Sequence, residues 1–250
     1  MPEVSRSLRL IPYSLFFLLS AAASLPAASV GGNAQKLLER HLRARGGHKT
    51  YQQIKTRRTV ATVRVEDTEV KTVTLESLPE GRFYQVLEIP TGKTEVGFDG
   101  HRGWHRSVAA QGLMEPDDPR GRALVRANRA TEFWDYKKDE RRFEYGGKER
   151  FEGAEYEVLQ STLPTPDAKD LPAKYYFTAE GMLHLIIAGS DGGTRLEFSD
   201  FRQVDGITYP FHTKFTGPQT KVDTVVTEIK HNVPVDSAVF EYREQFDIKP

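Results

Sequence analysis

The sequence contains no cysteine. That absence excludes disulfides, thiolate metal centres, cysteine nucleophiles and a lipid anchor attached through a cysteine. An excess of charge of one sign is also missing, because 35 basic residues face 35 acidic ones. Such a balance gives no drive towards nucleic acid or an anionic membrane surface. Lys137-Lys138 and Arg141-Arg142 are interleaved with Asp135, Asp139 and Glu140, so no basic patch forms. The chain has no HExxH, no GxSxG, no phosphate-binding loop and no dinucleotide fingerprint. It also lacks a repeat of solenoid length and any interdomain linker.

Long apolar runs are confined to the N-terminus. Leu10 to Ala23 follows Arg6 and Arg9 and precedes the small residues of "SLPAAS". This is the three-part pattern of a secretory signal peptide, and it is shorter than the ~20 residues a membrane span needs. The expected division is a signal peptide at 1–28, cut between Ala27 and Val30, and one domain at 29–250. An uncleaved anchor is the alternative. With no cysteine to lipidate, the exported chain is expected to be soluble in the periplasm, without a membrane span.

What is present reads as hairpins. "TVATVRVE" sets Ala61, Val63 and Val65 against Thr62, Arg64 and Glu66. "KTVTLES" repeats the alternation with Val73 and Leu75. "GITYPFHTKF" puts Ile207, Tyr209, Phe211 and Phe215 on one face, with Thr208, His212 and Lys214 on the other. Period-2 alternation with one polar face predicts antiparallel strands packed on one side. Glu80-Gly81, Asp99-Gly100, Gly146-Gly147, Glu152-Gly153, Glu180-Gly181, Asp191-Gly192-Gly193, Asp205-Gly206 and Gly217-Pro218 separate about a dozen such segments. Pro210 within one of them predicts an edge or a bulge.

Helices are few. Leu37, Leu38, His41 and Leu42 form an apolar stripe from Asn33 until Gly46-Gly47 stops it, and a short turn follows from His48 to Lys55. Asp117-Asp118-Pro119 predicts a cap and first turn for a helix from Arg120 to Thr131. The segment 162–174, with three prolines, reads as a loop. The expected fold is mainly β with a few α-helices, a curved antiparallel sheet forming a half-open, incomplete β-barrel covered by helices. A covered, curved face encloses a cavity, and a cavity is where a ligand is to be sought.

The histidines do not read as a metal site. In "VGFDGHRGWH" the glycines oppose a helix, and in one extended strand His101 and His105 would stand ~13 Å apart. The stretch is expected to be a turn. His41 and His48 sit where a helix C-terminus favours a partly charged imidazole. His184, His212 and His231 fall in strands as surface or packed residues. Carboxylates at alternating strand positions read mainly as solvated-face groups.

Four segments together carry a family resemblance. "LRARGGHKTYQQIKTRRTVATVRV", "FDGHRGW", "FSDFRQVDGITYPF" and "EIKHNVPVDSAVF" resemble, in order and spacing, LolA-like envelope proteins, known as outer-membrane lipoprotein-sorting proteins. The resemblance covers about Asn33 to Phe240. It implies an incomplete barrel with an apolar interior for acyl chains, and thus an exported lipid- or lipoprotein-binding carrier of the bacterial envelope that acts without catalysis or cofactor. Its partners would be acylated lipid or lipoprotein cargo and envelope transport proteins, not nucleic acid. Phe83, Phe98, Trp104, Phe133, Trp134, Tyr176 and Phe211 are the large residues expected to line or gate the cavity, with no catalytic or metal-binding residues. Two other readings stay open. One is a secreted interaction module with a filled barrel. The other is an envelope hydrolase, which would need His105, His184 or His212 to converge with an acid in one pocket.

Overall fold

The computed structural model describes residues 30–89, 92–107, 111–113, 119–139, 141–165 and 170–242. The expected signal peptide, the Asp117-Asp118 cap and part of the proline-rich loop lie outside the described residues.

Thirteen strands form one antiparallel sheet. The first meander comprises β1 (Thr56–Val65), β2 (Thr68–Ser77), β3 (Arg82–Ile89), β4 (Gly92–Phe98), β5 (Gly103–Arg106) and β6 (Gln111–Leu113). The second comprises β7 (Glu144–Phe151), β8 (Ala154–Leu163), β9 (Leu171–Phe177), β10 (Leu183–Ala188), β11 (Thr194–Val204), β12 (Ile207–Thr216) and β13 (Lys221–His231). The last strand returns beside the first, and the β1–β13 pairing joins the two meanders into one sheet. Its edges, β6 and β7, do not pair with each other among the described residues, so the barrel stays open.

The glycine turns fall where expected, with one exception. Gly146-Gly147 lies inside β7, where the register against β8 shifts between Tyr145 and Gly147. An extra residue there makes a bulge, and Gly147 takes the positive φ that it needs, 86°. The β1–β2 turn has no glycine at all; Glu66 turns it with φ 53°.

Both longer helices lie on the concave face. α1 (Gly32–Ala44) buries Ala34, Leu37, Leu38 and Leu42, a spacing that keeps one stripe facing inward. Beneath it runs a row set by strand register: Leu159 beside Tyr175, Tyr175 beside Ile186, Ile186 beside Leu196. Each leucine buried there stabilises by about 1.5–3 kcal/mol relative to exposure. Gly46 ends α1 at φ 119°, and a β-carbon on it would stand 2.0 Å from the Gly206 carbonyl oxygen. Only glycine lets the helix end so close to the β11–β12 turn.

The remaining helices are short. α2 spans His48–Tyr51. α3 runs Pro119–Asn128, three residues shorter at its C-terminus than expected, and lies over β4 and β5. Among the described residues no helix is long and apolar enough to cross a membrane.

The phase of β2 is opposite to the one expected. Val70, Thr72, Thr74 and Glu76 are buried on one face, while Val73 and Leu75 are half-buried on the other. The cause is an ion pair on the inner face, described next.

Candidate functional site

The inner face changes character at the centre of the sheet. On β8–β12 it is apolar. On β1 and β2 the register places Arg57 opposite Glu76 and Thr59 opposite Thr74. All four line a half-open cavity of about 250 Å³ between the sheet, the end of α1 and the segment that follows α3. Arg45 and Glu132 complete the polar wall; Leu183, Phe198, Val226 and Ile229 form much of the apolar one.

The cavity reaches a split in the sheet. β12 pairs with β13 only from His212 to Thr216, whereas β13 from Val226 to His231 pairs with β1. Residues 207–211 therefore have no partner on the β13 side. Pro210, expected at an edge or bulge, sits in a strand that is interior by order but locally free on one flank. Tyr209 and Pro210 on one bank, with Val226 and Ile229 on the other, all line the cavity. Tyr209 Oη bridges the split to His231 Nε2 at 3.0 Å. Phe201, beside Pro210 on β11, lines the same space and is 37 % exposed.

The polar wall is a buried ion cluster. Arg57 donates from Nε to Glu76 Oε2 at 2.6 Å and from Nη1 to Glu132 Oε1 at 2.5 Å. Glu76 Oε1 accepts from Asn128 Nδ2 at 3.2 Å and Arg129 Nε at 3.1 Å. Glu76 is 1 % exposed and Glu132 8 %, so the reading of strand carboxylates as solvated groups fails at Glu76, and Glu132 shows the same burial beyond α3. Burial alone would raise the Glu132 carboxyl, but Arg57 and Arg45 outweigh it and hold it below its ordinary range. Burial likewise opposes the charge on Arg57, yet Glu132 and Glu76 hold it well above the usual arginine value.

His41 is not a dipole-stabilised cation. It is buried, its Nδ1 donates to the Gly181 carbonyl at 2.8 Å, and desolvation with help from Arg45 pushes its pKa down to about 3. His101 and His105 flank the expected turn, in which Asp99 Oδ1 accepts from the backbone N–H groups of His101 and Arg102 at 2.7 and 2.6 Å. His105, His184 and His212 do not line this cavity. Among the described residues no group of three or more potential ligands could hold a metal ion.

The seven aromatic residues singled out from sequence are all buried, and none lines this cavity. Phe83 and Phe98 pair across β3 and β4, in the row that begins at Glu76. Trp104 lies on the opposite face, where its indole N–H donates to the Phe240 carbonyl at 2.8 Å. Tyr176 joins Val158 and Leu185 in a separate cluster on the outer face of β8–β10. Phe133, Trp134 and Phe211 belong to the main core. Two of these back directly onto the cavity wall: Phe133 meets the His41 ring edge-on at 5.6 Å, and Trp134 lies 5.3 Å from the Arg45 guanidinium. The residues that do define the site, Arg45, Arg57, Glu76 and Glu132, escaped sequence reasoning. One signal was available, since Arg57 and Glu76 are opposite charges nearly equidistant from the Glu66-Asp67 turn.

No family model and no curated protein matches the sequence. Solved structures do match the fold. A LolA superfamily protein from Nitrosomonas europaea superposes with TM-score 0.57 at 10% identity, over 84% of this chain and 97% of its own. A DUF1329 family protein from Desulfovibrio piger gives 0.56 at 10% identity, with the same 84% and 97% coverage. A domain from Vibrio parahaemolyticus named for outer-membrane lipoprotein sorting gives 0.55 at 13% identity, over 83% of this chain and 97% of its own. The resemblance noticed in the sequence motifs is thus matched in three dimensions, and the chain has the LolA-like fold: an open antiparallel sheet curved around a helix-covered hollow.

Proposed function

We propose that the protein is a non-catalytic binding protein of the cell envelope that shelters the acyl end of a lipid or lipoprotein in the hollow of its half-barrel. The observation that carries this reading is the half-open cavity between sheet and helices in a LolA-like fold. The name of the Vibrio domain, lipoprotein sorting, is in keeping with it. Export through the segment at 1–28 and a periplasmic site of action belong to the same proposal, as do envelope transport proteins that would load and unload the cargo.

The size of the cavity narrows the cargo. A dry cavity of ~150 Å³ accommodates benzene, so about 250 Å³ accommodates roughly ten carbons. At about 0.8 kcal/mol per methylene, burial of that length stabilises the complex by up to about 8 kcal/mol before ordering costs. One chain end fits as the hollow stands; several chains would require it to widen. Phe133 and Trp134, behind His41 and Arg45, are the wall we assign to such widening. Native mass spectrometry of protein purified without detergent should show a retained amphiphile. Empty protein that also fails to take up decanoate or decan-1-ol overturns the reading.

The polar wall favours one alternative. The hollow is not the apolar trough expected from sequence, because Arg45, Arg57, Glu76 and Glu132 face it. A fold in which the seven aromatic residues expected to line the cavity are buried away from it also suits an interaction module that recruits a partner protein. Crosslinking in cells separates the two, by capturing a stable protein complex rather than lipid.

A further inference from the structure

The ion cluster at the cavity does not balance. Three buried or largely buried guanidiniums, Arg45, Arg57 and Arg129, face two buried carboxylates, Glu76 and Glu132. His41 is neutral at physiological pH. Arg57 takes one oxygen from each carboxylate, and Arg129 takes the second oxygen of Glu76. Glu132 Oε2 and Arg129 Nη2 are both buried without a hydrogen-bond partner; one is an acceptor and the other a donor, so they leave the balance unchanged.

The surplus charge falls on Arg45. It is 4 % exposed and has no carboxylate within ion-pair distance among the described residues. Its partners are neutral: Nε donates to the Thr208 carbonyl at 3.1 Å and Nη1 to the Glu132 carbonyl at a long 3.5 Å. The Trp134 and Tyr209 rings lie 5.3 Å from it and offset part of the desolvation. A neutral donor would serve those carbonyls equally well. Only the Glu132 carboxylate, already bonded to Arg57, acts on Arg45 at longer range. A buried charge without a contacting counter-ion is costly, and arginine is the side chain suited to binding carboxylate or phosphate through two parallel bonds. Arg45 also lines the cavity. Desolvation pulls Arg45 below the usual arginine value, whereas Arg57, equally enclosed but paired, is raised.

We infer that the cavity binds a single-chain amphiphile by its anionic end, a carboxylate or a phosphate, with Arg45 as counter-ion and the chain directed between Phe198, Val226 and Ile229 towards Phe201. The inference rests on the binding function proposed above and adds the head-group chemistry. Seating a monoanion there brings the cluster to neutrality. Glu132 Oε2 keeps the anion on the Arg45 side of Arg57, since the two negative groups repel.

Calorimetric titration of the purified, delipidated protein with decanoate, decyl phosphate and decan-1-ol at low salt tests it. At least one anion should bind about tenfold or more tightly than the alcohol, as a charge-assisted hydrogen bond implies. The tighter of the two anions identifies whether a carboxylate or a phosphate is the preferred head group. Arg45→Gln should abolish the preference, and Arg45→Lys, which keeps the charge, should retain much of it. Equal affinity for decanoate, decyl phosphate and decan-1-ol would overturn the anion site while leaving acyl binding intact. An anion preference that survives in a folded Arg45→Gln protein would remove Arg45 from the role. If Arg45→Gln does not fold, the wild-type comparison of anions with alcohol decides. Failure of all three probes to bind would defeat the binding function itself.

Discussion

The indole of Trp104 lies against the backbone of Gly97 on the neighbouring strand, so that a β-carbon at Gly97 would stand 2.3 Å from the ring. The close approach positions the indole N–H for the Phe240 carbonyl and draws the closing 3-10 turn Ser237–Phe240 onto the outer face of β3. Gly97→Ala should therefore force Trp104 aside and lower stability by about 1–3 kcal/mol, the usual cost of overpacking. Thermal melting should show the loss. Proteolysis should show earlier cleavage near Phe240. An unchanged melting temperature would disprove the contact.

The ion cluster should be all-or-none. Arg57→Met leaves Glu76 and Glu132 without their shared partner in a buried place, and urea denaturation should report about 3–5 kcal/mol of destabilisation. Adding Glu132→Gln to that variant should recover part of the loss, because the carboxylate that loses its bonded guanidinium is then gone, whereas Glu76 keeps Arg129 and Asn128. A simple sum of the single effects would show that the groups act independently.

His41 should make the protein sensitive to mild acid. Its folded pKa is pushed down to about 3 from an ordinary 6.5, so between those values the unfolded chain binds a proton that the folded one refuses. Stability from this group is complete above pH 6.5 and falls as the pH drops through that window. The slope is at most about 1.4 kcal/mol per pH unit. Glu132, held below its ordinary range, adds a further loss only at lower pH, as its carboxylate is protonated. His41→Asn, which retains a donor for the Gly181 carbonyl, should flatten the denaturation midpoint between pH 4.5 and 6.5 relative to the wild type.

Filling the hollow should block binding without unfolding the sheet. Thr213 is half-buried and lines the cavity. Thr213→Trp should give a folded protein, by circular dichroism, that no longer takes up decanoate or decan-1-ol. Full binding by that variant would locate the ligand elsewhere.

Much of the architecture was legible because most hairpins obey local chemistry. The face of β12 that carries Ile207, Tyr209 and Phe211 is buried as its alternation indicates, and Gly46 ends α1 where a close backbone approach requires it. The site was less legible. Apolar-in, polar-out alternation assumes a greasy interior, and on β1 and β2 the interior is an ion pair between threonines. There Val73 and Leu75 misled, and Glu76 read as solvated. Glu132 and Arg45 join them from outside the strands, a long-range convergence that no local pattern encodes. Gly146-Gly147 misled in a smaller way, since glycine serves a bulge as readily as a turn.

Among the described residues the open barrel leaves β7 with one unpaired side over eight residues. Such an edge invites a second molecule to add its own strand, the first step towards fibrils. Here the bulge at Gly147 breaks the regular spacing of amide and carbonyl groups, and Glu144, Lys148, Glu149 and Arg150 would set charge against charge in any docking copy. The open edge of the sheet thus carries its own guard against self-association.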